Sequence, residues 1–147
     1  GNDTAFDFPK TKFSDNPYDF SFSGIKTAVI NQINSMKMKG QSYRVEDVAA
    51  SFQKAVVDVL VRNTIEAAKE IGMKTVCLAG GVSANSLLRK TMEEEGQKSG
   101  IQVYYPDLVY CTDNAAMVAA TGYYYYMNEK FSDLTLNAVP NLRIDDQ

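Results

Sequence analysis

The stretch TVCLAGGVSAN, from Thr75 to Asn85, joins a short run of strand-forming residues to the start of a helix-forming sequence. The strand pattern stops abruptly at Gly80-Gly81, and Asn85 leads directly into SLLRK. Glycine has no Cβ atom, so its main chain can adopt a positive φ or admit a ligand to contact distance. We therefore predict a tight strand-to-helix turn at Gly80 and Gly81.

Two interpretations of this turn are open. Two glycines after a strand are most often simply a tight turn, and the stretch matches neither GxGxxG nor GxxxxGK[ST]. Alternatively, the free N–H groups at the start of the following helix could meet an anion or the polar edge of a base. In that case the turn would suit a nucleotide.

The pattern on either side of the turn predicts a helix-rich α/β fold. Helices are expected from Gly24 to Gly40, Val45 to Ile71, Ala84 to Glu95 and Asp113 to Asn128, with strands at Thr75–Leu78 and Gln102–Tyr105. Strand, helix and strand in that order favour a parallel βαβ unit. Alternating residues at Phe6–Phe8 and Tyr18–Phe22 indicate two further short strands. The longest helix carries an apolar stripe of Val48, Phe52, Ala55, Val56, Val59 and Leu60.

Composition restricts the function more by what is absent than by what is present. The 147 residues contain no histidine, which excludes a Ser-His-Asp triad, a Cys-His pair and an HExxH zinc site within the chain. The two cysteines, Cys77 in an expected buried strand and Cys111 in a turn, are too few for a disulfide framework. No apolar run reaches ~20 residues and no signal-peptide pattern opens the chain. We predict a cytoplasmic protein that does not contact membranes.

The net charge of −3 argues against a nucleic-acid-binding surface spread over the whole chain. The densest basic cluster is Lys37, Lys39 and Arg44. Upstream of it, FSFSGIK combines a serine hydroxyl placed to cap the next helix with Lys26, which could meet a phosphate, although a solvated lysine is commoner.

Asp113 opens the last predicted helix, whose first residues include the alanines 115, 116, 119 and 120. Either Asp113 or Thr112 is the N-cap of that helix, or the Asp113 carboxylate faces a cleft and holds a metal ion. Small residues four apart indicate close backbone packing, within the domain or at a hinge. The four tyrosines 123–126 point in nearly every direction around the helix, which favours contact with a partner over base stacking.

Three blocks, DFSFSGIKTAV (Asp19–Val29), VCLAGGVSAN (Val76–Asn85) and YCTDNAAMVAATGY (Tyr110–Tyr123), closely resemble the carboxy-terminal part of the tRNA threonylcarbamoyladenosine transferase family, TsaD. The resemblance implies that residues 1–137 form part of one lobe of the actin-like ATPase, sugar kinase and heat-shock chaperone fold. This lobe would contain a small mixed or parallel sheet, and residues 138–147 would form an extended tail. The family's complete protein moves threonylcarbamoyl from threonylcarbamoyl-adenylate to the adenosine just 3′ of the anticodon in tRNAs that read codons beginning with adenine.

The resemblance also implies roles for particular residues. Asn85 is expected to hydrogen-bond the adenylate, while Gly80 and Gly81 let it approach. Asp113 matches the family's carboxylate ligand to a catalytic iron or zinc ion, and no other catalytic residue is expected. The remaining metal ligands are histidines of an HxxxH motif in the amino-terminal lobe, which this chain lacks. We therefore expect the chain alone to be inactive and to bind no metal.

Other functions fit less well. A protease would need a nucleophile elbow or a metal motif that the sequence lacks. A kinase-like nucleotide-binding lobe of the same superfamily would share the glycine turn but not the FSFSGIKTA and CTDNAAM blocks. A non-catalytic scaffold that binds partners is the third alternative. Beyond the adenylate and tRNA, the resemblance implies a paralogous scaffold subunit and an ATPase subunit as partners, and an isolated piece could form an artificial homodimer.

Overall fold

Alternation of long helices and short strands organises the protein, and a computed structural model describes residues 1–10 and 12–141. The helices are α1 (Ser23–Met38), α2 (Val45–Glu70), α3 (Ser86–Lys98) and α4 (Ala115–Met127), and the strands are β1 (Thr75–Cys77) and β2 (Gln102–Tyr104). Short 3₁₀ turns occupy Gly81–Ala84 and Leu108–Tyr110. The helices and strands expected from Gly24 onward are confirmed, with ends that shift by a few residues.

The two strands pair in parallel, with Thr75 opposite Gln102 and Cys77 opposite Tyr104. Helix α3 connects them, so the predicted parallel βαβ unit is confirmed. A side chain at Gly96 of α3 would place its Cβ 2.7 Å from Val103 Cγ2 and 2.9 Å from the Ile101 carbonyl oxygen. Glycine at this position therefore lets α3 lie close to β2.

Helix α2 is 26 residues long and contributes buried residues to two separate apolar clusters. One cluster joins α2 to α3 and the start of β2: Val57, Val61, Ile65, Ala68, Leu88, Met92 and Ile101. The other joins α2 to α1 and the amino-terminal segment: Phe8, Ile25, Val48 and Ala55. Each large apolar side chain buried in this way stabilises the fold by about 1.5–3 kcal/mol.

The predicted stripe on α2 is only partly right. Val48, Ala55 and Val59 are buried, but Phe52 is 38% exposed and Val57 and Val61 are buried instead. A helix that packs on different neighbours along its length buries different sides, so a single stripe cannot describe it.

The two strands predicted near the amino terminus are wrong, because neither Phe6–Phe8 nor Tyr18–Phe22 forms a strand. The first segment packs on α2 instead: Phe8 is buried and the Phe6 amide donates to Ser51 Oγ. In the second, Phe20 and Phe22 are exposed and stack on each other with ring centroids 6.0 Å apart. Alternating aromatic residues thus reflect contacts with one helix face and with each other.

The predicted serine cap of α1 is also wrong, because Phe22 is the N-cap and no side chain caps the helix. Cys77, expected in a buried strand, is exposed, whereas Cys111 is buried. Both outer edges of the two-stranded sheet are open, which exposes β1 more than a central strand of a larger sheet would be.

The chain forms two compact units, Gly1–Cys111 and Thr112–Gln147. The second unit contains α4, none of whose residues is buried. Packing inside the described part therefore does not explain the four alanines of α4. The predicted boundary at residue 137 stays a prediction, and residues 142–147 of the predicted tail lie outside the described residues.

Candidate functional site

The glycine turn follows directly from the end of β1. Past Cys77, the Leu78 amide still donates to the Tyr104 carbonyl oxygen at 2.8 Å, and the chain then leaves the sheet. Gly80 has φ +83° and ψ 170°, a conformation that is essentially restricted to glycine. The Ser83 amide donates to the Gly80 carbonyl oxygen at 2.9 Å, which closes the 3₁₀ turn.

The main chain of this turn is open. Gly80 and Gly81 are both exposed, and no heavy atom of the described residues lies within 4 Å of the position that a Cβ of Gly80 would occupy. The first glycine is thus required by backbone conformation, and the absent side chain leaves free space above it. A flat or planar group could approach the main chain at this point.

Asn85 is the N-cap of α3. Its Oδ1 accepts a hydrogen bond from the Leu88 amide at 3.0 Å, while its Nδ2 lies 3.5 Å from Gln53 Oε1. The oxygen of this side chain is therefore engaged in capping, which typically contributes ~1 kcal/mol. Among the described residues, the amide NH₂ makes only this long hydrogen bond, so it is the part of Asn85 able to donate to a ligand.

Arg89, which sequence reasoning did not single out, connects the turn after β1 to the segment after β2. Its Nε donates to the Ser83 carbonyl oxygen at 2.5 Å, and its Nη2 donates to the Pro106 carbonyl oxygen at 2.8 Å. The same Nη2 lies 3.0 Å from Cys111 Sγ, and the guanidinium lies 4.4 Å from the centre of the Tyr105 ring. A planar guanidinium can make these bonds at once because its donors form a rigid fork.

The sequence carried a weak signal for Arg89. Arg89 is four residues after Asn85 on α3, so both side chains lie over the start of that helix. The signal was not usable, because the carbonyl groups that Arg89 binds belong to segments 6 and 17 residues away.

Ser83 adds an unused polar group to the turn. Its side chain is 2% exposed, and its hydroxyl has no hydrogen-bond partner among residues 1–10 and 12–141. Buried hydroxyls nearly always find a partner, so the turn retains hydrogen-bonding capacity at this atom.

Asp113 belongs to the second unit, and the interpretation of Asp113 or Thr112 as the helix cap is wrong. The cap of α4 is Asn114, whose Oδ1 accepts from the Met117 amide at 3.0 Å and whose Nδ2 donates to the Thr112 carbonyl oxygen at 2.9 Å. The Asp113 side chain is exposed, and within the described part of the chain it makes no hydrogen bond or ion pair. Its two oxygens are free to accept a ligand.

The donor set fits a metal ion only in part. A carboxylate without partners suits a divalent cation. However, the described residues contain no group of three or more His, Cys, Asp or Glu side chains that could hold an ion. A metal ion held by Asp113 would need its other ligands from outside the described residues.

Two grooves of the first unit lie away from the glycine turn. One of about 480 Å³ is lined by charged side chains of α2 and α3, including Asp58, Arg62 and Glu95. Another of about 380 Å³ runs between α2, β1 and Phe20. Neither is lined by Gly80, Gly81 or Asn85, which form an exposed turn.

Among the helices of the described residues, none has both the length and the apolar composition needed to cross a bilayer.

Comparison with known proteins gives one consistent answer. Residues 1–120 match the family model described as TsaD, tRNA N6-adenosine threonylcarbamoyltransferase. The chain is 47% identical over 147 residues to a protein of that name from Clostridium beijerinckii, covering all of this chain and 43% of the relative. Proteins of the same name from Clostridioides difficile and Desulfitobacterium hafniense are each 49% identical, over 99% and 98% of this chain and over 43% and 42% of their own lengths. The chain thus spans about two-fifths of the length of these relatives.

Proposed function

The chain belongs to the tRNA N6-adenosine threonylcarbamoyltransferase family, and from this premise we propose that it is the carboxy-terminal part of such an enzyme. In the proposed reaction, the N6 amine of adenosine in tRNA attacks the carbamoyl carbon of threonylcarbamoyl-adenylate. An N–C bond forms, the bond from that carbon to the phosphate oxygen breaks, AMP leaves, and the amine loses one proton.

The proposed role of the first unit is to hold the adenylate. The observation that carries this proposal is the open main chain at Gly80, where a positive φ and free space coincide at the end of a strand. Gly80 and Gly81 would admit the adenylate, and Asn85 would donate to it through Nδ2, since its Oδ1 caps α3. Arg89 would keep the turn in place through the Ser83 carbonyl group.

The proposed role of the second unit is to supply a metal ligand. Asp113 would be one ligand of an iron or zinc ion, and histidines outside this chain would complete the site. Bound there, the ion would act as a Lewis acid that polarises the carbamoyl group. Because a lone carboxylate holds such an ion weakly, we expect the 147-residue chain alone to be inactive and free of stoichiometric metal.

The test uses a full-length protein that carries this sequence at its carboxy terminus. Replacing Asp113 by Ala should abolish threonylcarbamoyladenosine in cellular tRNA, as measured by nucleoside mass spectrometry. Because the side chain makes no hydrogen bond or ion pair within the described residues, the free energy of unfolding should change by less than about 0.5 kcal/mol. Asp3→Ala, which removes another exposed carboxylate, is the matched control and should leave modification normal. Normal modification in Asp113→Ala would refute the metal-ligand role.

A second candidate function, a non-catalytic scaffold, is favoured by one observation, the full exposure of α4 and its four tyrosines. The enzyme proposal also includes a cytoplasmic location, the actin-like lobe architecture and two partner subunits, a paralogous scaffold and an ATPase. If a full-length protein with Asp113→Ala still supported normal modification and bound those partners, the scaffold would be the better description of this part.

A further inference from the structure

The exposed surface of α1 and of the segment after it is basic, although the chain as a whole is acidic. Between Asp19 and Glu46 the sequence holds Lys26, Lys37, Lys39 and Arg44 and no acidic residue, whereas the net charge of the chain is −3. We call these four side chains the α1 basic surface. All four are exposed.

The lysines of this surface lack carboxylate partners. Within residues 1–10 and 12–141, Lys26, Lys37 and Lys39 form no ion pair, and Arg44 has only a 3.8 Å contact with Glu46. Five lysines elsewhere are paired with a carboxylate: Lys10, Lys12, Lys54, Lys90 and Lys98. The three other described lysines without an ion pair, Lys69, Lys74 and Lys130, do not share an acid-free segment as those of the α1 basic surface do. Unpaired ammonium groups keep their charge available to an external anion.

Helix geometry places two of these charges in a row. Lys26 and Lys37 are 11 residues apart, which is close to three full turns, so they lie on the same side of α1 about 16 Å apart. The exposed residues between and beside them include amides and hydroxyls, together with the apolar side chains of Ile30 and Met38. An open groove of about 450 Å³ is lined by Asn31, Asn34, Ser35, Met38 and Lys39. Ammonium, amide and hydroxyl donors without acids are the groups that contact phosphates and sugars of nucleic acids.

We infer that the α1 basic surface binds the phosphate backbone of RNA. This inference rests on the proposed function for the identity of that RNA as tRNA, and it deepens that proposal by locating a contact outside the glycine turn. An extended polyanion suits two lysines separated by three helical turns better than a single small anion does. Contacts of this kind position a substrate without reading its sequence.

The test measures binding of fluorescein-labelled tRNA to the 147-residue chain by anisotropy at several salt concentrations. In the triple variant Lys26→Gln, Lys37→Gln, Lys39→Gln we expect roughly tenfold or greater loss of affinity and a salt slope smaller by about 2–3 units. The matched control, Lys54→Gln, Lys90→Gln, Lys98→Gln, removes the same net charge from paired lysines and should bind tRNA nearly as the parent does.

Three results would overturn the inference: equal losses in both triple variants, no tRNA binding by the parent chain at low salt, or tighter binding to polyglutamate or phosphatidylserine vesicles than to tRNA. These outcomes are independent of the transfer reaction. Asp113→Ala should bind tRNA normally, so a failure of the chemistry and a failure of the RNA contact would be told apart.

Discussion

At the scale of single residues, Gly80 shows how one backbone conformation creates a potential ligand site. Alanine at this position meets no steric obstacle, but φ +83° and ψ 170° are costly for any residue with a Cβ. We expect Gly80→Ala to lower the free energy of unfolding by about 1–3 kcal/mol, measured by urea denaturation. Gly122→Ala, in the interior of α4 with equally free space, should instead be neutral or stabilising. Equal effects of the two substitutions would contradict the conformational explanation.

Asn85 combines a structural and a proposed binding role that two substitutions can separate. Serine caps helices as well as asparagine does, so Asn85→Ser should keep the Leu88 bond and cost little stability. Asn85→Ala loses the cap and should cost ~1 kcal/mol. Both variants lack the Nδ2 donor, so both should raise the KM for threonylcarbamoyl-adenylate in the full-length protein. If only the alanine variant were impaired, Asn85 would be a cap without a ligand contact.

At the scale of elements, the end of β1 and the segment after β2 are joined by Arg89 rather than by the two-stranded sheet alone. Removing the guanidinium would take a donor from the carbonyl groups of Ser83 and Pro106, and the Cys111 thiol, 4.0 Å from the Pro106 oxygen, is a weak substitute. We therefore expect Arg89→Ala to destabilise the protein by about 2–4 kcal/mol in urea denaturation. Arg89→Lys should recover little of this, because an ammonium cannot reproduce the fork or the stacking on Tyr105.

The neighbouring residue supplies the control for this prediction. Lys90 is exposed, and its one ion pair within the described residues is a 3.9 Å contact with Glu94, so Lys90→Ala should change stability by less than about 0.5 kcal/mol. Full recovery in Arg89→Lys would mean that charge alone, and not the geometry of the guanidinium, holds the turn.

Elements were predictable from the sequence where local signals were strong. Helix α2 has acidic residues in its first turn and glycine after its end, and the structure gives it within one residue of the predicted range. The conformation of the segments before α1 was not predictable. Aromatic residues at every second position fit a strand and also fit an irregular segment packed against a helix. The Phe6 amide finds its partner at Ser51, 45 residues away, and no local pattern encodes that bond.

At the scale of the whole molecule, helix α4 is unusual because contacts within the described part of the chain bury none of its residues. Ala115–Met127 contains no charged residue, and every one of its residues is exposed. A helix that is apolar on all sides is normally buried. We expect the 147-residue chain to self-associate as concentration rises, which light scattering coupled to size-exclusion chromatography would measure.

A charge in the middle of α4 tests this expectation. Ala119→Glu should shift the chain toward the monomer, while Ala49→Glu, on an exposed site of α2, should not. A strictly monomeric parent chain at high concentration would show that exposure of α4 does not drive association.

The sequence by itself determined the family, the order of helices and strands from Gly24 onward, the parallel βαβ unit and the position of the glycine turn. These features depend on local periodicity, on glycine conformations and on motifs whose residues are adjacent. The tertiary structure alone decided which cysteine is buried, how α2 divides its apolar residues between two clusters, and how Arg89 bridges the ends of the strands. Those properties depend on contacts between residues distant in sequence, and such contacts exist only once the helices have packed.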